Sequence, residues 1–122
     1  MTSLHGLRVL IVENDELNAM LLQLQLEGEG MLVTGVAPSV AVALQMLEEL
    51  QPQLVFLDYW LAHGETSSPV AKQLCLQGIP FLVATGMDIS LLPDVFDTGI
   101  KLAKPYTGGD LANALKQALA LA

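Results

Sequence analysis

Four side chains able to do chemistry stand directly behind short apolar runs. Glu13 follows "VLIV", Asp58 follows "LVFL", Thr85 follows "FLVA" and Lys104 follows "LA". A carboxylate held at a strand end can attack phosphorus in line and form an acyl phosphate, which makes Asp58 a candidate nucleophile. The charge on a transferring phosphoryl group must be neutralised. A divalent cation held by Glu13 and Asp58 would do this from one side. Lys104 would supply a fixed positive charge on the other side, and Thr85 a hydroxyl for a phosphoryl oxygen. The set suggests phosphoryl transfer to a carboxylate, provided the four positions converge in space.

Convergence requires a fold that gathers strand ends. Apolar runs at residues 7–12, 31–36, 54–57, 79–84 and 100–103 read as strands buried on both faces. Between them lie segments of helical period. Leu17, Met20, Leu21 and Leu24 form the first stripe, stopped by Gly28 and Gly30. Val40, Ala43, Leu44, Leu47 and Leu50 form the second, which must end before Pro52. Val70, Leu74 and Gln77 give a weaker third helix closed by Gly78. A short fourth, around Leu91 to Phe96, is interrupted by Pro93. In the last, Thr107 and Asp110 resemble a capping box ahead of an apolar stripe of Leu111, Ala114, Leu115, Ala118 and Leu119. This alternation predicts a single α/β domain over residues 1–122: a five-stranded parallel doubly wound sheet of flavodoxin-like order 2-1-3-4-5, with five helices. Every strand's carboxyl end then faces one edge, where open α/β sheets bind ligands.

Composition narrows the partners. Acids outnumber bases 13 to 5, for a net charge of -8, and the five bases are scattered. Phosphate backbones require clustered cations, so direct nucleic-acid binding is not expected, nor is attachment to an anionic membrane surface. Mean hydropathy is +0.52, yet the longest apolar runs are strand-length and far short of a membrane span. No signal peptide is visible in "MTSLHGLRVL", which favours a cytoplasmic location. Cys75 is the single cysteine, so an internal disulfide is impossible. It reads as a small hydrophobe on a helix.

Over about residues 7 to 119 the chain resembles a response-regulator receiver domain of two-component signalling. "VLIVENDELN" matches the acidic-pair strand, "LVFLDYWLA" the phosphoacceptor strand, "FLVATG" the switch-hydroxyl strand and "LAKPY" the lysine-proline strand. The intervals between Glu13, Asp58, Thr85 and Lys104 are 45, 27 and 19 residues, and all four motifs occur in receiver order. The resemblance implies Asp58 as phosphoacceptor, Thr85 as the switch hydroxyl, Lys104 as the phosphate-pairing lysine and a cis peptide at Lys104-Pro105. It also implies a histidine kinase or histidine phosphotransferase as phosphodonor, and Mg2+ as cofactor.

Two departures bear on the chemistry. Receivers usually place two acids in succession after the first strand, whereas here the pair is Glu13-Asn14. Asn14 can still offer a carbonyl oxygen but lacks the charge that favours a hard cation, so metal affinity should fall. Three outcomes compete: weakened magnesium binding with phosphorylation retained, rescue by Asp15 through a shifted loop, or a receiver that no longer phosphorylates. The first is favoured because Asp58, Thr85 and Lys104 are all present. The metal set is then Glu13, Asn14, Asp58 and the backbone carbonyl of Trp60. The second departure is Lys101, which stands where an inward-turning aromatic is often found and cannot be buried at modest cost.

Each residue has a plainer role beside the sharper one. Asp15 and Glu16 could be first-turn acids at the positive end of the first helix. Asp58 could cap a turn, Thr85 could bond only local backbone, and Lys104 could be a solvated surface lysine. His5 and His63 read as exposed, and Trp60 as an amphipathic surface aromatic. Leftover apolar residues on the last helix could serve a partner or homodimer contact.

The expected function is a stand-alone receiver, phosphorylated on Asp58 and signalling to an unidentified downstream protein by phosphorylation-dependent contact. Its only catalysis would be its own phosphoryl transfer and hydrolysis. Met1 and a helix closing at Ala122 favour a complete short protein. The alternative is a pseudo-receiver adaptor that binds its partner without phosphate. An aspartyl-phosphate hydrolase is disfavoured, because Trp60 rather than an acid stands two residues after Asp58.

Overall fold

The computed structural model describes residues 4–120; the expected helix end at Ala122 lies outside them. Five strands form one sheet: β1 (Arg8–Val12), β2 (Leu32–Ala37), β3 (Leu54–Asp58), β4 (Phe81–Thr85) and β5 (Ile100–Ala103). Their order is β2-β1-β3-β4-β5 and all neighbouring pairs are parallel. The doubly wound α/β sheet expected from the sequence is therefore present. Four α-helices connect or follow the strands: α1 (Glu16–Gly28), α2 (Val40–Leu50), α3 (Ser68–Gln77) and α4 (Gly108–Ala120).

Strand alternation builds two cores. Val9, Ile11, Leu54, Phe56, Leu82, Ala84 and Leu102 point to one face, where Leu22 and Leu26 of α1 and Leu111 and Leu115 of α4 cover them. Leu10, Val12, Val55, Leu57, Phe81 and Val83 point to the other, against Leu47 of α2, Val70 and Leu74 of α3, and Phe96. Local signals end the helices where expected. Gln51 takes a left-handed conformation (φ 45) before Pro52, and Gly78 does the same (φ 69) after α3. The Thr107 N–H bonds to Asp110 Oδ2 and the Asp110 N–H to Thr107 Oγ1, both at 3.0 Å, completing the capping box.

Two expectations are corrected. The described residues hold four α-helices rather than five, because the segment between β4 and β5 forms two 3-10 turns, Ile89–Leu91 and Asp94–Phe96, instead of a fourth helix. Pro93, which has no N–H to continue the first turn, separates them, and Asp88 Oδ1 caps the start of the first through the Ser90 N–H at 2.9 Å. The segment still contributes Phe96, fully buried, edge-on to Tyr59 and Phe81. A Cβ at Gly99 would overlap the Phe81 ring. The other correction concerns α1. The predicted stripe of Leu17, Met20, Leu21 and Leu24 is 51–62% exposed, and Ala19, Leu22 and Leu26 are buried in its place.

Candidate phosphoryl-transfer site

The sheet ladder continues one residue beyond the strands and locks the site loops to it. Glu13 N–H donates to Ala37 O (3.0 Å), Tyr59 N–H to Ala84 O (3.0 Å) and Lys104 N–H to Thr85 O (2.9 Å). Glu13, Asp58, Thr85 and Lys104 are thereby lined up at the carboxyl edge on β1, β3, β4 and β5. Asp58 lies at the centre, with Glu13 one strand away on one side. Lys104 belongs to a strand two positions away, about 10 Å at ordinary sheet spacing. Its long stem spans that gap, and Nζ meets Asp58 Oδ1 at 3.0 Å.

Period-two alternation places Glu13, Asp58 and Lys104 on the face that carries α1 and α4, in register with Ile11, Phe56 and Leu102. Thr85 falls in the register of Phe81 and Val83, the opposite face. Its buried hydroxyl oxygen accepts the Met87 N–H at 3.0 Å, the local bond weighed from sequence. That leaves its own O–H free to donate. The structure thus joins Glu13, Asp58 and Lys104 directly and holds Thr85 on the adjacent strand end. The Lys104-Pro105 peptide is cis, as the resemblance implies.

Two buried carboxylates face one ammonium. Burial above all, with Asp58 beside it, pushes the Glu13 carboxyl up to about 7 against the opposing pull of the Asp15 N–H and Lys104. Glu13 Oε1 accepts that N–H at 3.0 Å. Asp15 itself is the N-cap of α1, its Oδ1 accepting the Asn18 N–H at 2.9 Å. One oxygen of its carboxylate is thus engaged at the start of the helix. Asn14 is exposed. Trp60 is 48% exposed, its ring edge-on to Tyr59 at 5.2 Å.

The donors a cation would meet are oxygen only: the Glu13 and Asp58 carboxylates, which the structure brings together, with the Trp60 carbonyl and Asn14 amide oxygen expected from the sequence. No group of three His, Cys, Asp or Glu side chains able to hold a metal occurs among the described residues. Two carboxylates completed by carbonyls and water suit Mg2+, which keeps several waters and asks for few protein charges. Burial of the Glu13 carboxyl beside Asp58, which favours its protonated form, is a cost that a bound cation would offset.

Other residues add detail that sequence reasoning missed or left open. Tyr106 is half-buried against Phe56 at 6.3 Å, and burial, with Glu13 and Asp58 behind it, raises its phenol. Its place two residues after Lys104 was the available signal. With Leu21, Leu24 and Gln25 of α1 it lines a groove that opens onto Glu13 and Lys104. Lys101 is half-exposed on the sheet face where the 3-10 turns stand in for a helix, so it is not forced into an apolar pocket. Cys75 lies exposed on α3, with its sulfur 3.3 Å from Thr98 Oγ1, rather than packed as a hydrophobe. His63 is exposed, and no described helix is long and apolar enough to cross a membrane.

Known proteins place this arrangement. The family model for the response regulator receiver domain matches residues 9–116. The solution structure of SdrG from Sphingomonas melonis Fr1 is similar at 36% identity and TM-score 0.81, over 97% of this chain and 99% of that one. The response regulator PhyR from Brucella abortus is similar at 27% identity and TM-score 0.83, over 94% of this chain but 48% of that longer one. The receiver domain of PhyR from Erythrobacter litoralis shares the fold at 24% identity and TM-score 0.83, over 95% of this chain and 92% of that one. Among curated protein sequences none matches. With the strand-end carboxylates and lysine in place and the family model spanning most of its length, the chain belongs to the response regulator receiver domain family.

Proposed function

We propose that the protein accepts a phosphoryl group on Asp58 from a phosphohistidine donor, a histidine kinase or histidine phosphotransferase, and signals through phosphorylation-dependent protein contact. The observation that carries this is the 3.0 Å pair of Lys104 Nζ and Asp58 Oδ1 at the edge that also holds buried Glu13. An Asp58 oxygen forms the new bond to phosphorus as the bond to the donor's imidazole nitrogen breaks, and the electron pair leaves with the imidazole. Lys104 follows the transferring oxygens, and the Thr85 side chain, at the adjacent strand end, turns toward Asp58 to donate its O–H to one of them. Bound Mg2+ would supply the remaining positive charge, held by Glu13, Asp58 and the Trp60 carbonyl, with Asn14 contributing only a neutral oxygen. Leu17, Met20, Leu21 and Leu24, exposed beside the groove that reaches Glu13 and Lys104, suit contact with an apolar helix of the donor.

Intact-mass spectrometry after incubation with a small phosphodonor and Mg2+ tests the reading. A phosphoryl adduct on the wild type that is absent from Asp58→Ala is expected. Absence of the adduct from folded wild type, with a control receiver labelled in parallel, would favour the second reading, an adaptor that binds without phosphate. The observation behind that alternative is exposed, uncharged Asn14 where a second acid would strengthen the cation site.

A further inference from the structure

The loop between β3 and α3 is pinched shut just after the phosphoacceptor. Trp60 and Thr66 form an isolated antiparallel bridge. Around it the Leu61 N–H donates to Glu65 O at 2.8 Å and the Ser67 N–H to Tyr59 O at 2.9 Å. In this pattern the bridge residues are the non-hydrogen-bonded pair, so neither bond consumes the Trp60 carbonyl. The turn at the tip passes through His63 (φ 62) and Gly64 (φ 74).

Glu65 is the corner of the pinch. Its carbonyl holds Leu61, and its carboxylate Oε1 accepts the N–H of Val40, the first residue of α2, at 2.9 Å. That N–H is among the donors a helix leaves without an internal partner. Ser39 caps a different one, its Oγ taking the Val42 N–H at 3.3 Å. One carboxylate therefore ties the loop to a helix 25 positions earlier in the chain.

We propose that Glu65 is a positioning residue for the phosphoryl site: by anchoring the pinched loop to the amino terminus of α2, it fixes where Trp60 presents its carbonyl and ring beside Asp58. The consequence for magnesium rests on the phosphoacceptor reading of Asp58, whereas the anchor itself does not. A cation that pulls on the Trp60 carbonyl would be felt at α2 through the Glu65 carboxylate.

The test uses the full chain with Glu65→Ala and Glu65→Gln, the second of which keeps an acceptor oxygen. Trp60 is the single tryptophan, so acrylamide quenching and Mg2+ titration of its fluorescence both report on this loop. In metal-free Glu65→Ala, Val40 amide exchange should be about fivefold to tenfold faster, as when a helix cap is removed. Trp60 quenching should rise with it, and Glu65→Gln should stay close to wild type in both. In the same Ala variant the apparent Mg2+ dissociation constant should rise about threefold or more, because a carbonyl ligand is no longer held in place. Unchanged Trp60 quenching in Glu65→Ala overturns the proposal, even where Val40 exchange accelerates, since Glu65 would then be a helix cap alone. Equal Mg2+ affinity in wild type and Glu65→Ala also overturns it. A wild type that binds no Mg2+ counts against the phosphoacceptor reading instead, and the metal-free measurements then decide the anchor.

Discussion

Helices α1 and α4 lie in the same layer, cover the same sheet face and each leave a loop of the site, yet they treat their leucines oppositely. Leu111, Ala114, Leu115, Ala118 and Leu119 of α4 are all buried, and the polar Asn113, Lys116 and Gln117 face out. Helix α1 buries Ala19, Leu22 and Leu26 and leaves Leu17, Met20, Leu21 and Leu24 more than half exposed. At about 100° per residue the two sets on α1 fall on opposite sides of the helix. An apolar period shows that a stripe exists. Where a helix carries two, only packing reveals which one meets the sheet and which stays exposed.

The largest expected effect separates the two helices by stability. Leu115→Ala empties a fully buried position and should cost about 2–5 kcal/mol. Leu21→Ala removes an exposed side chain and should stay within about 0.5 kcal/mol. Urea denaturation measures both. Comparable losses would mean that the exposed stripe of α1 is part of the fold after all.

The next effect lies at the entrance to α1. Glu13 titrates near 4.5 when unfolded and about 7 when folded, so between those values the folded chain holds a proton that the unfolded chain has released. The stability it contributes is fully present below the lower value and is lost as pH rises through the upper one. Denaturation midpoints of the metal-free protein should therefore fall from about pH 5 to about pH 8, and Glu13→Gln should flatten that part of the slope. Mg2+ should flatten it too, by favouring the carboxylate. An unaltered slope in Glu13→Gln would show that burial does not hold the proton there.

Much of this was legible in the sequence because apolar runs and strand-end polar residues are local signals. Five strands, their order, the capping box of α4 and the meeting of Glu13, Asp58 and Lys104 follow from periods of two and 3.6 together with crossover handedness. What escaped depends on competition between signals. Pro93 breaks the segment before β5 into turns although its apolar residues are enough for a short helix. Thr85 ends its strand as expected, but strand parity sends it to the face opposite Asp58. Tyr106 and Glu65 act through contacts 25 or more positions away, which no local pattern encodes.

A third effect tests what the exposed stripe is for. Leu21→Gln with Leu24→Gln should leave labelling of Asp58 by a small phosphodonor unchanged while slowing transfer from a phosphorylated histidine phosphotransfer protein by about tenfold, the loss of one apolar anchor in an interface. Matching Asn113→Ala and Gln117→Ala changes on the outer face of α4 should alter neither rate. Equal rates from the protein donor would remove α1 from the docking surface and confine its stripe to some other contact.

The smallest effect concerns the residue between Glu13 and the cap of α1. Asn14→Asp adds a third acid to a site whose two carboxylates already face a single lysine. Without metal the extra charge should push the Glu13 carboxyl further up and lower stability slightly, since like charges disfavour ionisation of both. With Mg2+ the sign reverses, because a hard cation gains a charged ligand in place of a neutral amide oxygen. The apparent affinity, read from Trp60 fluorescence, should tighten about threefold to tenfold. The opposite signs with and without metal are the diagnostic feature, since a surface charge remote from the site would move neither. Asn14 is exposed and Asp15 is occupied as the helix cap, so the new carboxylate has no competing partner on α1. An affinity that stays at the wild-type value would place the cation away from the β1 loop, and leave Asp58 and the Trp60 carbonyl to hold it without help from α1's entrance.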